Sequence, residues 1–369
     1  MSSNEANGAV PTGVIDAASL PDEPVEEIHP LAFTGKGREY FGIWIVNLLL
    51  TIISFGLYSP WAKVRRLQYF YRNTQLAGAS FDYHGNPVAI LKGRLLALGM
   101  FVVYNLAGAF SPLLGLLVAI VLMAFLPRLL LRSLQFRLYN SSYRGLRFRF
   151  NGKLKAAYRV FLGWPLATLL TLSVLMPFCH QRIKAFQHDN AAFGRASFSF
   201  TAPVRAFYVC YFKILGVVLL GICLIGGGVA LVFGSALMLA SGRPNPQAMA
   251  LLPLFMSLCL FLLFFFIRPF VEAQWQNLVW NHTRLGEHRF VSKVSSLRLF
   301  WIMLTNLLAV VFTLGLYRPF AVTRLLRYRL QTVSMVALGD LERFVADGEL
   351  SVGATGEETA DLFDIDIAL

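Results

Sequence analysis

A stretch of 29 residues, Phe41 to Tyr69, recurs 259 positions later as Phe300 to Tyr328 without an insertion. Asn47, Gly56, Tyr58, Pro60, Ala62, Arg65 and Tyr69 meet Asn306, Gly315, Tyr317, Pro319, Ala321, Arg324 and Tyr328. Both copies begin in very apolar sequence, break at Gly-Leu-Tyr-x-Pro and continue as a basic, aromatic segment. The residue before a proline is driven out of helical angles, so each copy reads as a helix, a break and a second helix. A weaker third copy lies at an offset of 117, where Pro177, Arg182, Phe186 and Asn190 take the places of Pro60, Arg65, Tyr69 and Asn73. Duplication on this scale implies a repeat-built architecture.

The solvent for that architecture is lipid. Hydrophobic residues make up 56% of the 369 and charged residues 14%, and the mean hydropathy is +0.59, all outside the range of soluble domains. Seven apolar runs, near 40–58, 95–110, 113–131, 157–178, 207–239, 248–267 and 299–317, approach the roughly 20 helical residues that cross a bilayer. The first, fourth and seventh carry basic residues on both flanks. Plain spanning would split those flanks across the membrane, whereas re-entrant helices broken at Pro60, Pro177 and Pro319 would keep them on one side. Their length favours plain spanning. The nearly uncharged turns at Ser111-Pro112 and at 242–247 belong outside the membrane by the positive-inside rule.

Charge is partitioned along the chain. Residues 1–30 hold six acids and no Lys or Arg, and residues 340–369 hold nine acids against Arg343 alone. Of the chain's 20 acids and 33 bases the middle keeps five and 32, a net charge of +27. Three segments follow: an acidic, disordered tail at 1–30, a multi-pass membrane domain at 31–339 with repeat units near 33–95, 148–200 and 290–335, and a second acidic tail at 340–369. The bases lie beside apolar helix ends, so the expected partners are anionic lipid head groups, and nucleic acid is not expected.

A smaller motif marks four further places. Asn73, Asn140, Asp189 and Asn281 are each followed five residues later by a glycine (Gly78, Gly145, Gly194, Gly286) and then by Phe81, Phe148, Phe198 or Phe290. The two-residue alternation after the glycine predicts a short strand at the water interface. Phe33 stands where a degenerate fifth copy would start. The expected fold class is accordingly an all-α, polytopic helical bundle built from repeats, with short interfacial strands or hairpins.

The run Phe33-Thr-Gly-Lys-Gly-Arg-Glu-Tyr-Phe41, with Asn47-Leu-Leu-Leu-Thr51, Gly56-Leu-Tyr58-Ser-Pro-Trp61-Ala-Lys-Val-Arg65 and Asn73-Thr, resembles the YjgN family. The likeness is close over 33–95 and extends to about 335. It implies a multi-pass protein of the bacterial inner membrane whose activity is unassigned, and it carries over no catalytic residue.

Candidate functional residues come from the repeats and from isolated polar groups. Asn47 and Asn306 hold equal places inside apolar helices, where they read either as a polar path or as helix-to-helix hydrogen bonds. Glu272 beside Arg268 reads as a proton relay or as an ordinary i,i+4 ion pair. Arg65, Arg182 and Arg324 each stand five residues after a proline, suited to lipid phosphate or to simple anchoring at the interface. Cys179, His180 and His188 lack a third group at catalytic or metal spacing, so no catalytic, cofactor or metal residue is expected. Transport or channel activity, a non-catalytic scaffold that interacts with anionic lipid, and, with least support, a membrane-embedded enzyme all fit the sequence.

Overall fold

The computed structural model describes residues 26–237 and 246–338. Residues 1–25 and 339–369, which hold most of both acidic segments, and residues 238–245 lie outside the described residues.

Strands and helical pairs alternate along the described residues. β1 (Glu26–Pro30) and β2 (Ala32–Phe33) lead into α1 (Gly37–Ile53) and α2 (Ser59–Arg72). The hairpin β3 (Thr74–Leu76) and β4 (Ala79–Tyr83) leads into α3 (Pro87–Phe110) and α4 (Pro112–Tyr139). β5 (Ser141–Tyr143) and β6 (Leu146–Phe150) lead into α5 (Leu154–Tyr158), a π-helical turn, α6 (Trp164–Leu170) and α7 (Met176–Asp189). After β7 (Ala191–Phe193) and β8 (Ala196–Phe200) come α8 (Val204–Leu237) and α9 (Pro246–Asn281). Last are β9 (Thr283–Leu285), β10 (His288–Ser292), α10 (Ser296–Phe312), α11 (Arg318–Gln331) and β11 (Val333–Leu338).

The strands do not lie separately on a helical bundle, and the all-α expectation is corrected here. All eleven join one antiparallel sheet in the order β1-β11-β10-β9-β8-β7-β6-β5-β4-β3-β2. Its two ends are one strand: β1 pairs with β11 and β2 with β3, and only Leu31 separates them, its N–H donating to the Val333 carbonyl at 3.0 Å. The sheet therefore closes into a barrel, which satisfies the edges that isolated hairpins would leave open. Inside, Leu76, Tyr143, Phe193, Phe290, Val333 and Met335 form a buried core.

Every helical pair leaves and rejoins the barrel at the same rim. Five equivalent backbone bonds fasten the bases: Thr34 to Asn73 (2.9 Å), His84 to Asn140 (2.8 Å), Asn151 to Asn190 (2.8 Å), Thr201 to His282 (2.9 Å) and Lys293 to Thr332 (3.0 Å). The strand hairpins turn at the opposite rim, through two-residue turns in which Ala77 and Gly78, and Arg144 and Gly145, all have positive φ, the backbone of tight hairpins.

Two kinds of helical pair hang from the rim. α3/α4 and α8/α9 contain the four described helices long and apolar enough to span a membrane, and of these only α4 buries any of its apolar window, 11%. They stand as two separate hairpins and are not the core of a bundle. The other three pairs turn back, against the expectation of plain spanning. After Ser54 the chain enters left-handed backbone, Phe55 (φ 51°) and Gly56 (φ 89°), and Gly56 N bonds Thr51 O at 2.8 Å while Phe55 N bonds Ile52 O at 3.0 Å, a Schellman termination. Leu172 and Ser173, with Ser173 N to Thr168 O at 2.8 Å, and Leu314 and Gly315, with Gly315 N to Val310 O at 2.7 Å, repeat it. Pro60, Pro177 and Pro319 then sit in the first turn of the returning helix, where a missing N–H costs nothing. Length alone favoured spanning because this stop lies in two residues per copy that are themselves apolar or small.

Candidate functional site

The three turned-back pairs end in bare hydrocarbon. Phe55, Leu172 and Leu314, at matched positions, are 98%, 90% and 94% exposed, an arrangement stable only where lipid replaces water. Toward the rim the same pairs become cationic, and between the first and last of them a cleft of about 870 Å³ opens.

Five repeat positions of α2 and α11 line this cleft, and the two copies carry different chemistry at four of them. Ser59 faces the place of Arg318, Lys63 that of Val322, Arg66 that of Leu325 and Phe70 that of Arg329, while Leu67 and Leu326 agree. Arg94 of α3 adds a fifth cation, and α1 contributes Trp44, Asn47, Leu48 and Thr51. No Asp or Glu is among the lining residues. Lys63, Arg66, Arg94, Arg318 and Arg329 thus share one wall with apolar side chains. Two of the cations have partners: Arg94 contacts the Ser59 hydroxyl within the cleft wall, and Arg329 donates outside it to Gln276 Oε1 at 2.6 Å and lies 3.6 Å from Glu272 Oε2. Guanidinium and ammonium groups lining a single opening favour an anion, and guanidinium matches phosphate or carboxylate with paired donors.

Of the candidate functional residues named from sequence, only Asn47 belongs to this cleft. Its Nδ2 lies 3.5 Å from the Ala62 carbonyl of the returning helix, and its Oδ1 is buried without a partner among the described residues. Asn306 bonds the equivalent Ala321 carbonyl at 3.1 Å and receives Arg324 at 3.3 Å. Both amides therefore tie the two arms of their own pair. Glu272 accepts from Arg268 at 2.8 Å and reaches Arg329, linking α9 to α11. Arg65 lies 5.8 Å from the Tyr58 ring and lines a different cleft of about 500 Å³ beside Gln68 and Arg72. Arg182 lies 4.9 Å from the Phe178 ring, and Arg324 also donates to Thr305 at 2.9 Å. The three equivalent arginines serve three separate pairs. Tyr58 and Tyr317 donate their N–H groups to Ser54 and Thr313 hydroxyls, both at 2.9 Å. Tyr69 donates to the Lys36 carbonyl at 2.8 Å, and Tyr328 bonds both backbone groups of Ser295 at 3.0 and 3.2 Å, so each tyrosine pins the base of its pair.

Sequence reasoning weighed the positions where the copies agree and so passed over the cleft. The signal was present in the disagreements, Lys63 against Val322 and Arg66 against Leu325. Arg94, outside the repeat, had none.

Residues 28–362 match the model of a family described as a bacterial protein of unknown function, DUF898. An inner membrane protein YjgN from Salmonella typhimurium is 32% identical over 149 residues, covering 40% of this chain and 38% of that protein. The inner membrane protein YjgN of Escherichia coli K12 is 31% identical over 144 residues, 37% of this chain and 35% of the relative. These alignments span little more than a third of the curated relatives' length. No solved structure matches.

Proposed function

The chain belongs to the DUF898 family of bacterial proteins, and on that premise we propose that this multi-pass inner-membrane protein binds anionic phospholipid in the cleft between its first and last helical pairs, as a non-catalytic, lipid-interacting scaffold. The observation that carries the reading is that Lys63, Arg66, Arg94, Arg318 and Arg329 all line one cleft whose lining holds no acid, from Arg318 at the tip end of α11 to Arg329 near the rim. The apolar side chains of the same wall, Trp44, Leu48 and Leu326 among them, suit the glycerol and upper acyl region below a phosphate. By the positive-inside rule the basic rim and the barrel beyond it face the cytoplasm, the leaflet side on which anionic head groups attract such residues. The contacts of Asn47 and Asn306 with carbonyls of their own pairs, at 3.5 and 3.1 Å, support a structural use of these amides over a polar path.

The test is lipid retention by the full chain purified from membranes and reconstituted in nanodiscs. Phosphatidylglycerol should be retained over phosphatidylcholine, with retention falling as salt rises. Lys63→Ala with Arg66→Ala and Arg318→Ala should remove the preference, while Arg65→Ala should leave it. Equal retention of the two lipids, or an unchanged preference in the triple variant, refutes the proposal.

A further inference from the structure

One face of the barrel wall carries an interrupted ring. Phe81, Phe148, Phe198 and Phe290 are the third residues of β4, β6, β8 and β10, and their successive ring centroids lie 6.5, 6.3 and 6.5 Å apart. The closing strand places Leu31 at the corresponding position, two residues before Phe33 as Phe81 is two before Tyr83. Leu31 and the four phenylalanines together line a cavity of about 200 Å³ in the barrel interior.

Its lining is apolar throughout. The one hydroxyl in the wall, that of Tyr143, donates to the Leu76 carbonyl at 2.7 Å, so it offers no donor to the interior. Trp280, near the end of α9, closes the helix side of the space, packed edge-on to Phe290 at 5.2 Å. Folded interiors hold few voids larger than a water. Water gains nothing in a space without polar partners, and an apolar cavity of about 150 Å³ is known to stay dry and to admit benzene. An empty space of this size forfeits dispersion contact along its whole wall.

We infer that the barrel interior is a binding pocket for one uncharged apolar group, a single aromatic ring or the end of a hydrocarbon chain. A charged or hydrogen-bonding ligand would surrender its water without compensation and is excluded. The same chemistry has two sources, a free apolar solute and a lipid chain end reaching past Trp280. The inference is independent of the cationic cleft, since no residue is shared between the two linings.

The experiment uses the full chain in phosphatidylcholine nanodiscs, with Trp280 kept and the other five tryptophans changed to Phe. Bromobenzene entering the pocket quenches Trp280, so titration should give saturable quenching. Leu31→Phe, which supplies the missing ring, should abolish the saturable component. Discs of lipid brominated at the chain end form the second arm. Quenching there that is lost in Leu31→Phe identifies an acyl chain as occupant, and quenching by bromobenzene alone identifies a free solute. Linear quenching indifferent to Leu31→Phe in both arms overturns the inference. Should the single-tryptophan variant lose its sheet signal in circular dichroism, the methyl resonance of Met335, on the same wall, replaces it in the otherwise unaltered chain. A saturable shift with bromobenzene then supports the pocket, and no shift overturns it.

Discussion

The N–H of Leu31 donates to the carbonyl of Val333 at 3.0 Å, at the point where the first strand leaves β11 for β3. The bond joins residues from opposite ends of the described chain, and Glu26 strengthens the junction by holding Arg289 through both carboxylate oxygens at 2.8 and 3.0 Å. Closure of the barrel thus rests on eight residues, 26 to 33.

Leu31→Pro removes that donor and leaves a buried carbonyl unmet, an expected loss of about 1–3 kcal/mol. Thermal unfolding of the purified protein should show it, together with faster proteolysis near residue 30. A midpoint within experimental error of the parent would mean the closing bond is dispensable.

Ser173 sits at φ +70° where the equivalent residues are Gly56 and Gly315. Ser173→Gly should therefore stabilise the α6/α7 pair by roughly 0.5–1 kcal/mol, and Gly315→Ala should destabilise α10/α11 by a similar amount. At Gly315 a Cβ would meet nothing within 4 Å, so the cost is one of backbone angle alone. Equal melting temperatures for both variants would refute the assignment of strain.

Asn306 makes a 3.1 Å bond across its pair and is itself braced by Arg324, whereas the equivalent Asn47 bond is 3.5 Å long. Asn306→Leu should cost on the order of 1 kcal/mol and Asn47→Leu less than half of that. Unfolding in a graded denaturing detergent orders the two, and the reverse order contradicts the geometry.

His288, buried in β10, accepts the Leu338 N–H at Nδ1, 3.2 Å away. Burial pushes its pKa below the usual value; Glu287 pulls the other way and His29 adds to the depression. The unfolded chain then takes up a proton near pH 6.5, before the native state does. Stability is therefore complete above that pH and falls as the pH drops below it toward the native value. His288→Gln should flatten part of the decline in melting temperature between pH 7.5 and 5, and an unaltered slope would remove His288 from the account.

All five helical pairs start at one rim, so single cysteines at 85, 152, 201 and 293 should react with an impermeant thiol reagent from the same side of the membrane. A cysteine at 111, at the far end of α3 and α4, should react from the other. The background requires the four native thiols, Cys179, Cys210, Cys223 and Cys259, to be replaced. Mixed sidedness among the first four positions contradicts the single rim.

The hairpins centred on Gly78, Gly145, Gly194 and Gly286 were legible from local turn chemistry and two-residue alternation. The prolines marked the neighbourhood of the three breaks but not their cause: Ser59, Met176 and Arg318, the residues before Pro60, Pro177 and Pro319, are helical, and the chain stops earlier, at the left-handed pairs 55–56, 172–173 and 314–315. Strand partnership was not legible. Phe81 pairs with Tyr143 and Phe148 with Phe193, across tens of residues of intervening helix, and nothing in a short aromatic strand names which distant edge it will meet. The cationic cleft escaped for a related reason, because Lys63 and Arg329 come together only once the first and last pairs are neighbours.

Composition and repetition by themselves determined the lipid environment, the alternation of strand and helix, and the places where the chain turns, since each depends on hydrocarbon solvation or on the backbone preferences of a few adjacent residues. Tertiary structure alone decided that the strands close into one barrel, that three apolar runs fold back, and that five cations share an opening. These follow from hydrogen-bond edges and helix faces finding partners far away in sequence, a choice settled by the free energy of the whole assembly.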